Sequence, residues 1–283
     1  MWLTTRGGTR IERLPVSAAE LSPHALYVAA GIGRTLVVMA PDGRRAWSVP
    51  VHGTVEGIAW APSGLRLAYV VRGAGGTQLR TIEADGDHDR LLDGAVRPVR
   101  PSWRADSLAV AYVAGGGRAV VYDLAHRSRR VVGTDLCPGP ISALSFAARG
   151  GRLGLAGTHA VYVDPGDGGA AHCVPVPAGV RGLAWSGGLL VHGAGPRSLQ
   201  SLAFAPDGSP DGYGTVGVAG IVRSLAAGRD GRLAVALAAR GGVDVVVART
   251  PPLRVSYADR NLHVDGVLLH VPGPAGVGAL TVR

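Results

Sequence analysis

The sequence predicts an all-β protein made of repeated four-stranded units, and three observations support this. Residues 58–70 and 101–113 align without a gap, and each copy reads aromatic residue, polar turn and apolar strand. The same register recurs at six anchor positions along the chain. These anchors are Leu21, Trp60, Trp103, Phe146, Trp185 and Ala227. Their spacing of about 39–43 residues is typical of β-propeller blades. Asp-Gly turns between apolar runs, the third observation, indicate hairpins.

Each unit shows the same order of four strands. The first strand ends at the anchor. In the second unit, residues 65–71 form the second strand, 79–84 the third and 90–92 the fourth. The turn at Asp85-Gly86 joins the third and fourth strands, since glycine accepts a positive φ without a Cβ clash. Alternation near period two and the absence of a helical stripe favour antiparallel β-structure.

The two ends of the chain determine the predicted number of blades. Residues 2–5 and 10–14 resemble a third and a fourth strand, whereas the stretch from Asn261 offers a first and a second strand around Asp265-Gly266. Leu262 would be a weak seventh anchor. Pairing the two ends in one blade would close a ring and remove the exposed sheet edges. We therefore expect seven four-stranded antiparallel blades in a single domain, residues 1–283, with six blades and an irregular tail as the alternative.

One stretch also resembles a known repeat family. The segment IAWAPSGLRLAYV, followed by LRTIEADGDHDRLL, is similar to the repeat of TolB-like, WD-type bacterial β-propellers. The match is close in the second unit and looser in the fourth and fifth, where Ala148-Arg149-Gly150 and Ser186-Gly187-Gly188 replace Pro-Asp-Gly. The resemblance implies a propeller that mostly scaffolds protein contacts and has no shared catalytic set.

The net charge of +9 does not by itself indicate nucleic-acid binding. All 29 basic residues are arginine, as expected of a GC-rich genome, and the densest cluster is Arg127, Arg129 and Arg130 on a predicted hairpin. We interpret that cluster as a solvated turn, because nucleic-acid binding needs basic residues gathered on one face with base readers among them. We expect a monomer, and no apolar run is long enough to span a bilayer.

The compartment stays open between cytoplasmic and extracytoplasmic. Related propellers often follow a leader peptide or a membrane anchor, so a segment upstream of Met1 is an alternative. Cys137 and Cys173 are interpreted as two isolated thiols, with a disulfide in an oxidising compartment as the alternative.

Motifs that could carry catalysis or a metal are weak, so we predict no catalytic residue, no metal and no cofactor. Ser186 falls in a near match to a nucleophile elbow, but its predicted hairpin is not the strand-to-helix turn which that motif requires. Asp85, Asp87 and Asp89 alternate as in a calcium loop, yet Arg90 replaces the glycine and no glutamate closes the loop.

A row of polar residues near the start of the first strands is the strongest functional signal. Four residues before the anchors stand Ser17, Glu56, Val99, Ser142, Arg181 and Arg223, five of them polar in otherwise apolar strands. In a propeller these positions face the mouth of the central channel, which Arg97 and Arg100 also flank. The candidate site is Glu56, Arg97, Arg100, Ser142, Arg181 and Arg223, and its arginines suit an acidic peptide or anionic ligand. The structural alternative is that Glu56 pairs with Arg181 or Arg223.

These observations favour a non-catalytic scaffold for a protein or peptide partner, envelope-associated or sensory. Two alternatives remain open: a propeller enzyme whose active site lies at the channel mouth, and an accessory domain that controls substrate access to a hydrolase.

Overall fold

The computed structural model describes most of the chain. The described residues are 16–40, 42–132, 139–166, 171–176, 179–186, 188–205, 209–218, 220–227, 232–239, 242–249 and 263–272. Every regular element among them is a β-strand. No helix capable of crossing a bilayer occurs in these ranges.

The chain divides into two compact units, Met1–Val131 and Val132–Arg283. Each unit contains three four-stranded antiparallel sheets, which we call blades 1–3 and blades 4–6. The strands of the first unit are β1 Val16–Leu21, β2 Val28–Ile32, β3 Thr35–Met39 and β4 Arg45–Pro50; β5 Thr54–Trp60, β6 Arg66–Gly73, β7 Gly76–Glu83 and β8 Arg90–Asp93; β9 Ser102–Trp103, β10 Ala109–Val113, β11 Ala119–Asp123 and β12 Ser128–Val131. Those of the second are β13 Ala143–Phe146, β14 Leu153–Ala156, β15 Ala160–Asp164 and β16 His172–Pro175; β17 Val180–Ser186, β18 Leu189–Ala194, β19 Ser198–Phe204 and β20 Pro210–Gly217; β21 Ile221–Ala227, β22 Arg232–Ala239, β23 Gly242–Arg249 and β24 His263–Pro272.

The predicted four-stranded antiparallel architecture is confirmed, but the predicted number of seven blades is wrong. The described residues form six sheets, and each sheet consists of four strands that are consecutive in the chain. None of these sheets combines N-terminal with C-terminal strands, so the predicted closure by both ends does not occur among them. The N-terminal strands predicted at 2–5 and 10–14, and the anchor predicted at Leu262, lie outside the described residues.

The C-terminal stretch explains why the count was too high. His263–Pro272 is a single strand, the fourth of blade 6, and not the predicted first and second strands of a seventh blade. It pairs with β23, with a register irregularity between the pairs Val247↔Val267 and Arg249↔His263. Asp265-Gly266 therefore lies where the β23–β24 register shifts. A register shift of this kind accepts the same residues that favour turns.

The hydrophobic core lies between neighbouring blades of each unit. Leu36 and Val38 of blade 1 cluster with Val55 and Tyr69 of blade 2. In the second unit, Val191 of blade 5 belongs to the cluster formed with blade 6. Because alternate residues of a strand point to opposite faces, each central blade supplies side chains to the core on both sides.

The tryptophan anchors connect neighbouring first strands by hydrogen bonds. The indole N–H of Trp103 donates to the carbonyl of Ala59 at 2.9 Å, and that of Trp60 donates to the carbonyl of Glu20 at 3.3 Å. In blade 5 the indole N–H of Trp185 donates to the carbonyl of Ser145 at 2.9 Å. Each acceptor stands one residue before the anchor of the preceding blade. The repeated aromatic residue is thus both a core side chain and a fixed link between blades.

The cysteines differ from their sequence interpretation. Cys173, on β16, is disulfide-bonded, and the described residues contain no free cysteine. The interpretation of Cys173 as an isolated thiol is therefore wrong. The other cysteine of the sequence, Cys137, lies outside the described residues.

Replacing Trp103 by phenylalanine should cost more stability than the same change at Trp60. Both rings are buried to the same degree, 5% and 6% exposed, so the loss of ring area is matched. The hydrogen bonds that are lost differ in length, 2.9 Å at Trp103 and 3.3 Å at Trp60. Leaving a buried carbonyl without its donor costs about 1–3 kcal/mol. Equilibrium urea unfolding measures both variants, and equal losses would contradict the assigned role of the bond.

The disulfide gives a chemical prediction. Protein purified without reductant and then unfolded in guanidinium should react with no thiol reagent, because the sequence has two cysteines and the described one is oxidised. After reduction it should titrate two thiols. Two reactive thiols before reduction would restore the interpretation as isolated cysteines.

Candidate functional site

A β-bulge recurs near the start of the first strand. In blades 1, 2 and 6 the extra residue between two ladder pairs is Ser17, Glu56 and Arg223, respectively. In blade 5 the extra residue is Gly182, directly after Arg181. A bulge interrupts the ladder and redirects the side chain. Three of the five polar residues predicted from sequence, Ser17, Glu56 and Arg223, are therefore the bulged residues themselves, whereas Arg181 precedes its bulge and pairs with Gly193 in the ladder.

In the first unit, the carboxylate of Glu56 is already paired. Its Oε1 lies 2.7 Å from Nε of Arg72 on β6, while its Oε2 is buried without a hydrogen-bond partner. The partner expected from sequence was Arg181 or Arg223, and that expectation is wrong. Arg72 pairs with Thr54 in the ladder, two residues before Glu56.

Arg100 bridges three blades. It precedes β9 of blade 3, donates from Nε to the carbonyl of Ile58 in blade 2 at 3.0 Å, and donates from Nη2 to Oε1 of Glu20 in blade 1 at 2.5 Å. The backbones approach closely at the same place, because a Cβ on Gly57 would lie 3.0 Å from the Cα of Arg100. Arg100 therefore has a structural role in joining the first strands of this unit.

Glu20 is the residue that sequence reasoning missed. It is 8% exposed, and its Oε2 is buried without a partner. Burial raises the pKa of Glu20 above its ordinary value of 4.5, outweighing the opposite effects of Arg100 and the Trp60 contact. A signal was present in the sequence, since the residue before the other anchors is always alanine or serine.

Arg97 and Ser142 lie in different local settings. The backbone N–H of Arg97 donates to Val113, and its guanidinium covers the β10–β11 turn, 3.4 Å from where a Cβ on Gly117 would be. Ser142 directs both its backbone N–H and its hydroxyl to the carbonyl of Ala156, at 2.8 and 3.2 Å. The Ser142 side chain is thus satisfied by its own blade.

Arg181 and Arg223, in the second unit, remain available. Both side chains are exposed, and neither has an ion pair among the described residues. Their strands, β17 and β21, pack against each other. A Cβ placed on Gly193 would lie 3.0 Å from the Cβ of Arg181 and 3.2 Å from Cγ1 of Val222, the residue before Arg223. The strands that carry the two arginines therefore come close together at Gly193.

The two motifs set aside on sequence grounds are explained by their local structure. Ser186 is 1% exposed and ends β17 in a hairpin with β18, so its hydroxyl is not presented at a strand-to-helix turn. Asp89 accepts hydrogen bonds from the phenol of Tyr69 at 2.7 Å and from Nε of Arg80 at 3.0 Å. Burial and the Asp89 contact raise the pKa of Tyr69, which keeps the phenol a donor. Within the described ranges, no cluster of three His, Cys, Asp or Glu side chains could hold a metal.

Comparison with solved structures identifies the fold. The chain is similar to the RRP9 WD40 repeats, with a TM-score of 0.70 and 14% identity over 96% of this chain and 85% of that one. It is similar to the β-propeller domain of Cps50 (Swd1) from Myceliophteria thermophila, with a TM-score of 0.66 and 12% identity over 93% and 88% of the two chains. A chain of the mitotic checkpoint complex gives a TM-score of 0.68 and 15% identity over 97% and 84%.

The fold is therefore a WD40-type β-propeller with six blades. Identities of this size establish the fold and nothing more specific. No protein-family model and no curated protein matches the sequence.

Stability should depend on pH through Glu20. Because burial raises its pKa in the folded state, the stabilisation from its protonated form is full below about pH 4.5 and is lost as pH rises through the folded-state pKa. We expect Glu20→Gln to remove this loss, so that its free energy of unfolding falls less with rising pH than that of the wild type. Arg100→Gln should make the free energy of unfolding fall more steeply with rising pH, since the Arg100 charge lowers the pKa of Glu20.

Urea titrations at a series of pH values measure these slopes. Parallel curves for the wild type and E20Q would show that Glu20 does not titrate as its burial requires.

Proposed function

We propose that this propeller is a non-catalytic scaffold for a protein or peptide partner, and that an acidic segment of the partner binds at Arg181 and Arg223. The observation that supports this most directly is the contrast between the two units. Glu56 and Arg100 are occupied by contacts within the fold, at 2.7 Å to Arg72 and 2.5 Å to Glu20. Arg181 and Arg223 are exposed and unpaired among the described residues.

The chemistry of two adjoining arginines supports an anionic partner. Each guanidinium presents several donors in a rigid plane that matches a carboxylate. The β17 backbone that carries Arg181 is fixed by the Trp185 hydrogen bond to Ser145, and β21, which carries Arg223, packs against β17. A partner segment would therefore meet cations whose attachment points do not need to be ordered on binding, which lowers the entropic cost of association. The contribution of Arg97 and Ser142 to partner binding stays a prediction from the sequence.

The closer relation to TolB-like bacterial propellers and an envelope-associated or sensory role belong to the same proposal. The TolB-like repeat in blade 2 supports the relation. The oxidised Cys173 supports an extracytoplasmic location, because structural disulfides persist mainly in oxidising compartments. The enzyme and hydrolase-accessory alternatives have no specific support among the described side chains.

The test is quantitative affinity capture from the source cell with the wild type and the double variant R181A/R223A. We expect at least one captured protein to fall about tenfold with the double variant, because a charge-assisted contact contributes about 1.5–3 kcal/mol. The captured protein should also be displaced by an oligoglutamate peptide but not by oligolysine. The matched control is R44A/R45A, which removes the same charge from exposed positions in blade 1.

Two results would contradict the proposal. One is an unchanged set of captured proteins with R181A/R223A. The other is an equal loss with R44A/R45A, which would mean that binding depends on net charge alone.

A further inference from the structure

A cavity lies in the first unit, between the outer strands of blades 2 and 3. Its volume is about 400 Å³, and its walls come from β7, β8 and the β11–β12 hairpin. Pockets that hold small molecules measure roughly 300–1,000 Å³. The function proposed above does not involve this cavity, which is built from different residues in a different unit.

The cavity wall has an excess of positive charge. Arg66 and Glu83 neutralise each other, with Nε of Arg66 at 2.9 and 3.2 Å from the two carboxylate oxygens. Glu83 is the only acidic residue that lines the cavity. Arg90 and Arg127 line it too, and neither has an ion pair among the described residues. Two guanidiniums without an ion pair among the described residues therefore line one open cavity.

Apolar side chains form a second part of the wall, beside the polar Thr81 and His88. Leu91 on β8 is 51% exposed, although it lies next to a cavity that could bury it further with an occupant present. Leu92, Leu124 and Tyr122 also line this wall and are half-buried. Polar and apolar side chains thus share this wall, and a ligand with both a charged and an apolar part would contact both.

The backbone at the cavity adopts costly conformations. Arg127 has a φ of 51° and His88 has a φ of 55°, and both line the cavity. Arg127 ends the loop between β11 and β12, which is held by the hydrogen bond from the N–H of His126 to Asp123 at 2.9 Å. Glycine or asparagine is favoured at such a position, and strained residues gather at binding sites. An arginine kept there places its side chain at the cavity at the expense of local stability.

We propose that this cavity binds a small amphipathic anion. Its phosphate or carboxylate would be held by Arg90 and Arg127, and its aromatic or branched apolar part would cover Leu91 and Tyr122. Arginine donates paired hydrogen bonds to phosphate as well as to carboxylate, so the two guanidiniums suit either headgroup.

Calorimetric titration of the full chain with three probes tests this. We expect phenyl phosphate to bind more tightly than inorganic phosphate, because the ring adds apolar contact. Phenylacetate distinguishes the headgroups: binding equal to that of phenyl phosphate assigns a carboxylate-tolerant site, and weaker binding assigns a phosphate site. R90A and R127G should each weaken phenyl phosphate binding about tenfold, as loss of one charge-assisted contact requires.

The variant R127G separates binding from folding. Glycine relieves the positive φ, so the melting temperature should stay equal or rise while affinity falls. Ala25→Gly is the matched control, since Ala25 has a φ of 56° away from the cavity. It should affect the melting temperature in the same direction and leave binding unchanged.

Three results would overturn the proposal. The first is the absence of saturable binding by all three probes, and the second is unchanged affinity in both R90A and R127G. The third is an equal loss of affinity in R44A/R45A, which would mean that the probes bind by general attraction to a basic surface.

Discussion

The hydrogen bond from an anchor indole to the neighbouring first strand fixes the packing between the blades that it joins. Donor and acceptor occupy fixed places near their strand ends: Trp103 ends β9, and Ala59 precedes the end of β5. One bond of this kind therefore fixes how far one first strand is displaced along the next. At that displacement the strands approach so closely that Gly57 could not carry a side chain without moving the Arg100 backbone. Phe146 and Ala227 stand at the same register in other blades and have no indole to donate.

With the anchor end fixed, the opposite end of each first strand is where the blades differ. The bulge turns the residue there away from the ladder, and the neighbouring strand decides whether it finds a partner. Glu56 meets Arg72 on β6. Arg181 and Arg223 meet no acid among the described residues. Glu56 at its bulge is thus held in an ion pair in one unit. Arg223 at its bulge, and Arg181 beside one, are exposed in the other unit, where we place the proposed partner site.

The strands could be predicted from local sequence, because alternation and turn residues act over a few positions. The blade count and the side-chain partners could not, because they depend on pairing between residues distant in the sequence. The third and fourth strands of blade 2 were predicted at 79–84 and 90–92, against Gly76–Glu83 and Arg90–Asp93, because alternation and Asp-Gly turns act within a few residues. The blade count failed because it depends on which strand pairs with 263–272. The partners of Glu56 and Arg100 were equally out of reach, since Arg72 is set by a cross-strand pair and Glu20 belongs to another blade.

A non-glycine residue with a positive φ indicates a function when no contact within the fold accounts for it. Ser107 has a φ of 63°, but its hydroxyl accepts a hydrogen bond from the N–H of Ser63 at 2.9 Å and so links blades 3 and 2. Ala25 shows that a left-handed turn residue can also occur without a side-chain role. Arg127 differs from both: its long charged side chain has no ion pair among the described residues, yet it lines a cavity beside Arg90. A contact within the fold explains the strain at Ser107, whereas at Arg127 a bound anion would explain it.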